Sequence, residues 1–155
     1  MIAFKVLHIL SMFTAVTTLV GFEMFIALAI WRRDVHGLAA IFRMTRRPSP
    51  VNIGILFLLA GIAFGLLTAA TGGLDFFAGW LLAAYVLVAA LILANVSPPK
   101  RRVRQLAEDA VEADEGRRPV EEVVRHMATV PVTLYIGMNV VLFAAIILDM
   151  VLKPF

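Results

Sequence analysis

The sequence predicts an all-α integral membrane protein, a bundle of four spanning helices with amphipathic helices along its cytoplasmic face. Three observations carry that prediction. Hydrophobic residues fill 61% of the 155 positions and the mean hydropathy is +0.92, well above the roughly half-apolar norm of soluble chains. Four stretches, about 6–30, 52–71, 76–96 and 128–151, supply the ~20 mostly apolar residues needed to cross a ~30 Å hydrocarbon core. Twelve of the fourteen Lys and Arg residues lie in two segments between these stretches, 31–51 and 97–127. The net charge of +3 therefore sits beside apolar spans, where it meets lipid headgroups rather than nucleic acid. The chain has no cysteine, which excludes disulfides, thiolate metal sites and cysteine nucleophiles.

The first span is longer than the 7–15 apolar residues of a typical signal peptide, and no small-residue cleavage site follows it, so it reads as a span. It ends at "AIWRRD", where Trp31 forms the interfacial belt and Arg32 and Arg33 the anchors. In "DVHGLAAIFRMTRR" the apolar Val35, Leu38, Ile41 and Phe42 recur at helical spacing, which predicts a helix lying along the interface. Ser49 and Pro50 then open the second span as N-cap and first helical residue. That span carries Gly61, Gly65, Ala69 and Gly73 at four-residue spacing, the small-residue face on which membrane helices pack closely. The short "TGGLD" turn predicts that spans two and three form an antiparallel hairpin. Span three offers Gly79, Ala83, Ala90 and Ala94 for packing, and span four offers Thr129, Thr133, Gly137 and Ala144. Between them, Ser97 and Pro98 open a helix with the stripe Val103, Leu106, Ala110 and Val111, closed by Gly116; "PVEEVVRH" forms a second short helix. Basic loops are retained in the cytoplasm. The expected setting is thus a bacterial inner membrane with both termini outside.

Ionisable groups within a span are costly and mark candidate sites. His8 and Glu23 lie fifteen residues apart in the first span, ~22 Å along the axis and ~60° around it. They share a side but occupy opposite leaflets, so each needs its own partner. For Glu23 the candidates are Arg43, Arg125, His126 and Trp31, and its role is either a structural acid or a relay or ligand-binding carboxylate. For His8 the predicted orientation brings Asp75 and Asp149 to the same side. Tyr85, Asn95, Tyr135 and Asn139 are expected to form interhelical hydrogen bonds, each worth roughly 0.6 kcal/mol. Met12 shares the His8 face but, being on the same helix, cannot oppose it across a haem, which leaves Met150 as the second ligand if a haem b binds. No serine, histidine and acid grouping, phosphate loop or dinucleotide fingerprint is present.

"KVLHIL", the arginine pair after the first helix, "GIAFGLL", "FFAGWLLAAYVL" and "PPKRRVRQL" together resemble a family of small bacterial four-helix "predicted integral membrane proteins". That family is distantly similar to the copper-resistance CopD-type and the HemJ-type membrane proteins, which also begin with Leu-His in their first helix. The likeness covers about residues 4 to 110. In the HemJ-type proteins, which look like haem-dependent protoporphyrinogen oxidases, the first-helix histidine is a haem ligand and a third-helix lysine is essential. The resemblance implies that ligand role for His8, but span three has no lysine to match the second requirement. It implies the fold and leaves the activity open. Two functions lead the expectations, ahead of a small transporter with Glu23 as its coupling carboxylate. One is a non-catalytic subunit or assembly factor that docks other membrane subunits through helix faces and basic loops. The other is a haem- or metal-binding redox protein built on His8.

Overall fold

The computed structural model describes residues 2–45, 50–95 and 97–152. Arg46, Arg47, Ser49 and Lys153 lie outside them, as do the side chains of Asn95, Thr133 and Tyr135. The helices are α1 (Ile2–Trp31), α2 (Val35–Met44), α3 (Pro50–Thr71), α4 (Gly79–Asn95), α5 (Pro98–Asp114), α6 (Val120–Thr129) and α7 (Val132–Leu152). By length and composition, Ile2–Trp31 and Asn52–Thr71 are long and apolar enough to cross a membrane, as is the apolar stretch that starts at Gly79; α7 carries a shorter apolar stretch, Ile136–Leu152. The apolar run from residue 128 is divided because Pro131 has no amide proton to continue a helix, so α6 ends and α7 starts afresh.

The apolar helices form a row in the order α3, α1, α7, α4. Spans two and three do not close into the expected hairpin: α3 packs along α1, and α4 along α7. The turn of residues 72–78 brings two helix ends together but does not decide which faces meet. The α3 face is taken by α1, because a Cβ added to Gly54 would lie 2.9 Å from Leu19, and one added to Gly61 would lie 2.6 Å from the Met12 sulfur. Ala69 is also buried, but Gly73 is not part of the seam; it sits at φ 66 in the turn and ends α3 as the left-handed residue that glycine tolerates. The α4–α7 contact uses large side chains instead, with Leu91 against Phe143 and Ile146, and with Val16, Leu19 and Val20 of α1 packed alongside. Of the small residues expected to line spans three and four, Ala94 is buried, whereas Gly79, Gly137 and Ala144 are exposed.

At one end of the row α2, α5 and α6 build a cap with its own core. The predicted stripe of α5 is buried, and Leu38 and Val123 are completely enclosed. The apolar face of α2 (Val35, Leu38, Ala39) therefore packs on α5 rather than on lipid. Ile26, Ala29 and Ile30 of α1 belong to the same core, so the cap is fused to the membrane row by burial. Each such leucine contributes about 1.5–3 kcal/mol. Arg118 ties α5 to α6 through Asp109, Glu112 and Glu122, at 3.2–3.3 Å. Asp34 caps α2 by accepting the Gly37 amide proton. Just before it, Arg33 lies at φ 57, the left-handed position that glycine usually fills after a helix. The Arg33 and Asp34 amides donate back to Ile30 and Ala29 at 3.1 and 2.9 Å. A side chain in that conformation costs roughly 1–2 kcal/mol.

Where α5 ends, Asp114 accepts from the His36 imidazole and pairs with the Arg43 guanidinium at 2.6 Å, joining α2 to α5. The His36 hydrogen bond, then that of Arg43, holds the Asp114 carboxyl below its ordinary value of 3.8, with burial opposing them. A carboxyl whose pKa is lowered on folding stabilises the fold above its unfolded value and loses that contribution as pH falls through the folded one. Asp114→Asn is therefore expected to lower the melting temperature at pH 7. The gap to wild type should close as the pH is taken below 3.8, as read by thermal unfolding in detergent.

Candidate functional site

Among the described residues, the buried polar side chains of the row are Ser11, Glu23, Asn139 and Asp149. Two of them meet. Glu23 lies on α1, seven residues before Ile30 of the cap core, and Asn139 faces it from α7. The Asn139 amide donates from Nδ2 to both Glu23 oxygens, at 2.7 and 2.8 Å. The amide orientation is fixed by this contact, since turning it would set its oxygen against a carboxylate. Lys100 comes from the first turn of α5 and donates from Nζ to Glu23 Oε1 at 2.9 Å. Its side chain is 29% exposed against 10% for Glu23, so the lysine reaches inward from the rim to a carboxylate that is enclosed.

Local sequence explains why α5 needs this partner. Ser97 makes no side-chain cap, its hydroxyl donating backward to Ala94, and the first turn holds no acid. Lys100, Arg101 and Arg102 thus crowd the positive end of the helix macrodipole. The Glu23 carboxylate offsets that charge. None of Arg43, Arg125, His126 and Trp31 fills the role: Arg43 turns to Asp114, His126 lies 3.6 Å from Asp109, and Trp31 and Arg125 are exposed. Lys100 is the one lysine in the two basic segments, among arginines, and that isolation next to a span end is the signal for it. Asn139 Oδ1 and Asp149 Oδ2 are buried without a hydrogen-bond partner among the described residues.

His8 is placed differently from expectation. Its Nδ1 lies 2.7 Å from the Gly61 carbonyl oxygen, and a Cβ at Gly65 would meet the ring at 3.0 Å. The GxxxG of α3 is therefore the seat of Met12 and His8. His8 joins no ion pair with Asp75 or Asp149 among the described residues; Asp75 accepts the Phe77 amide proton instead. Nδ1–H donation to a carbonyl leaves Nε2 as the position for a metal, the arrangement in which histidine ligands are usually held. The Met12 sulfur rests on Gly61, and Met150 lies on α7, whereas the His8 ring lies against α3. Among the described residues no three His, Cys, Asp or Glu side chains gather as they would around a metal ion.

An apolar groove of ≈ 1060 Å³ lies between the cap end of α1 and the α6–α7 junction, lined among others by Met24, Leu28, Met127 and Val140. Among known families, the model described as "Predicted integral membrane protein (DUF2269)" matches residues 2–154. No curated protein and no solved structure matches the chain.

Proposed function

Because the chain belongs to the DUF2269 family of predicted integral membrane proteins, we propose that it works in the bilayer as a non-catalytic subunit or assembly factor of a larger membrane complex. The observation that carries this reading is the open row. The outer helices α3 and α4 each pack along one partner and do not close on each other, so a broad face of each is presented outward. Leu56 on α3 is 64% exposed and Leu93 on α4 is 67% exposed. The cap supports the same reading. Its carboxylates are mostly engaged by its own residues, while Arg101, Arg102 and Arg125 stay exposed and outside the ion pairs of the described residues. The test is photocrosslinking in native membranes from benzoylphenylalanine at Leu56 and Leu93. The expected result is an adduct with a second polypeptide from at least one of these positions. Lipid adducts alone, with a lone 17.0 kDa species on a native gel, would count against it.

A second reading, with His8 as a haem or metal ligand, is favoured by the Nδ1 hydrogen bond to Gly61, which frees Nε2. The likeness of "KVLHIL" to the first helix of the HemJ-type and CopD-type proteins supports it. An absorption spectrum and metal content of the protein purified from its native membrane decide it: a Soret band or stoichiometric metal that disappears in His8→Ala is expected, and neither would be found if the reading is wrong.

A further inference from the structure

We infer that the groove between α1 and the α6–α7 junction is a binding site for an anionic phospholipid of the surrounding leaflet, with one acyl chain in the groove and the phosphate at Arg33. The dimensions select this occupant. The α1 wall runs from Val20 to Trp31, which is ~16 Å at 1.5 Å per residue. That is about half of a ~30 Å hydrocarbon core, the depth of one leaflet. A partner helix crossing the membrane would need a groove of the full depth.

The charge is complementary as well. Among the described residues lining the groove Arg33 is the one ionisable side chain, two positions after Trp31, which is 80% exposed. Neither Arg32 nor Arg33 enters an ion pair among the described residues, in contrast to Arg43 and Arg118 of the cap. The backbone adds an independent observation. Arg33 holds φ 57, a left-handed position where glycine would be unstrained, and this strained residue is among those that line the groove. Backbone strain of this kind clusters at ligand sites and switch regions. The groove is open at Gly21, where an added Cβ would meet nothing within 4 Å.

Native mass spectrometry of the full chain in detergent tests this, using palmitoyl-oleoyl phosphatidylglycerol against phosphatidylcholine with the same chains. Wild type should retain one phosphatidylglycerol per chain and bind it more tightly than phosphatidylcholine. Arg33→Gly places the residue that suits φ 57, so its melting temperature should hold or rise. Its phosphatidylglycerol affinity should fall about fivefold, the factor given by one interfacial cation near a lipid phosphate. Gly21→Leu should weaken both lipids by filling the groove. The inference is overturned if Arg33→Gly binds phosphatidylglycerol as wild type does, or if wild type does not distinguish the two lipids. Crosslinks from benzoylphenylalanine at Leu28 to a protein segment, with none to lipid, would overturn it too.

Discussion

Glu23→Leu is expected to lower the unfolding free energy by about 3 kcal/mol, because it leaves a buried amide and a half-buried ammonium without their shared acceptor. Asn139 is 3% exposed and donates to both carboxylate oxygens, so in the variant its Nδ2 loses both acceptors while its Oδ1 already has no partner among the described residues. Lys100 retains partial access to solvent, which keeps the loss at the lower end of the range for broken buried pairs. Asn139→Leu should cost about 2 kcal/mol, since Lys100 still neutralises the carboxylate. The triple variant Glu23→Leu, Lys100→Leu, Asn139→Leu should be more stable than Glu23→Leu alone, since it leaves no polar group of the cluster buried. Unfolding in mixed micelles of increasing SDS content measures all three. A Glu23→Leu protein as stable as wild type would show that the cluster does not hold the cap to the row.

The double substitution Gly61→Ile with Gly65→Ile should cost about 3 kcal/mol, the upper end for overpacking a close seam. At Gly61 the first new atom would lie 2.6 Å from the Met12 sulfur and 3.4 Å from the Met12 backbone nitrogen. The sulfur can swing aside and the backbone cannot. Gly61→Ala should therefore be mild, while branched residues at both positions force α1 away from α3. His8 then loses the Gly61 carbonyl at 2.7 Å. The second readout is the slowly exchanging imidazole N–H proton by NMR, present in wild type and absent in the double variant. Retention of both that signal and wild-type stability would mean that α1 does not sit on the glycine face.

Helices and burial were legible in the sequence wherever one chain segment decides them alone. The stripe Val103, Leu106, Ala110 and Val111 lies inward as its spacing requires, and Gly116 follows α5 with a positive φ. Glu23 is buried, as an acid within a span must be if it is to be satisfied. What was not legible is which element supplies the partner. Lys100 is 77 residues from Glu23, and Asn139 is 116; no local spacing relates them. The glycine face of α3 was visible, but its occupant was not, because small residues specify closeness rather than the identity of the neighbour. Turn length likewise misdirected the pairing of α3 with α4. It limits how far apart two ends lie and is silent about the faces.

The row has a consequence for how the chain is made. α1 and α3 are neighbours in space and both emerge early, so they can pair as soon as the second of them leaves the translocon. α4 has no such companion; its partner α7 begins 37 residues after α4 ends, counting from Asn95 to Val132. At ~5–20 residues per second, synthesis of that interval lasts roughly 2–7 s. Through it α4 has lipid and α1 but not α7 for neighbours, and it is composed accordingly: from Gly79 to Asn95 it contains no charged residue. Within the same interval α5 and α6 are completed, so the cap can enclose its core and draw Lys100 to Glu23 before the last helix arrives to close Asn139 over them.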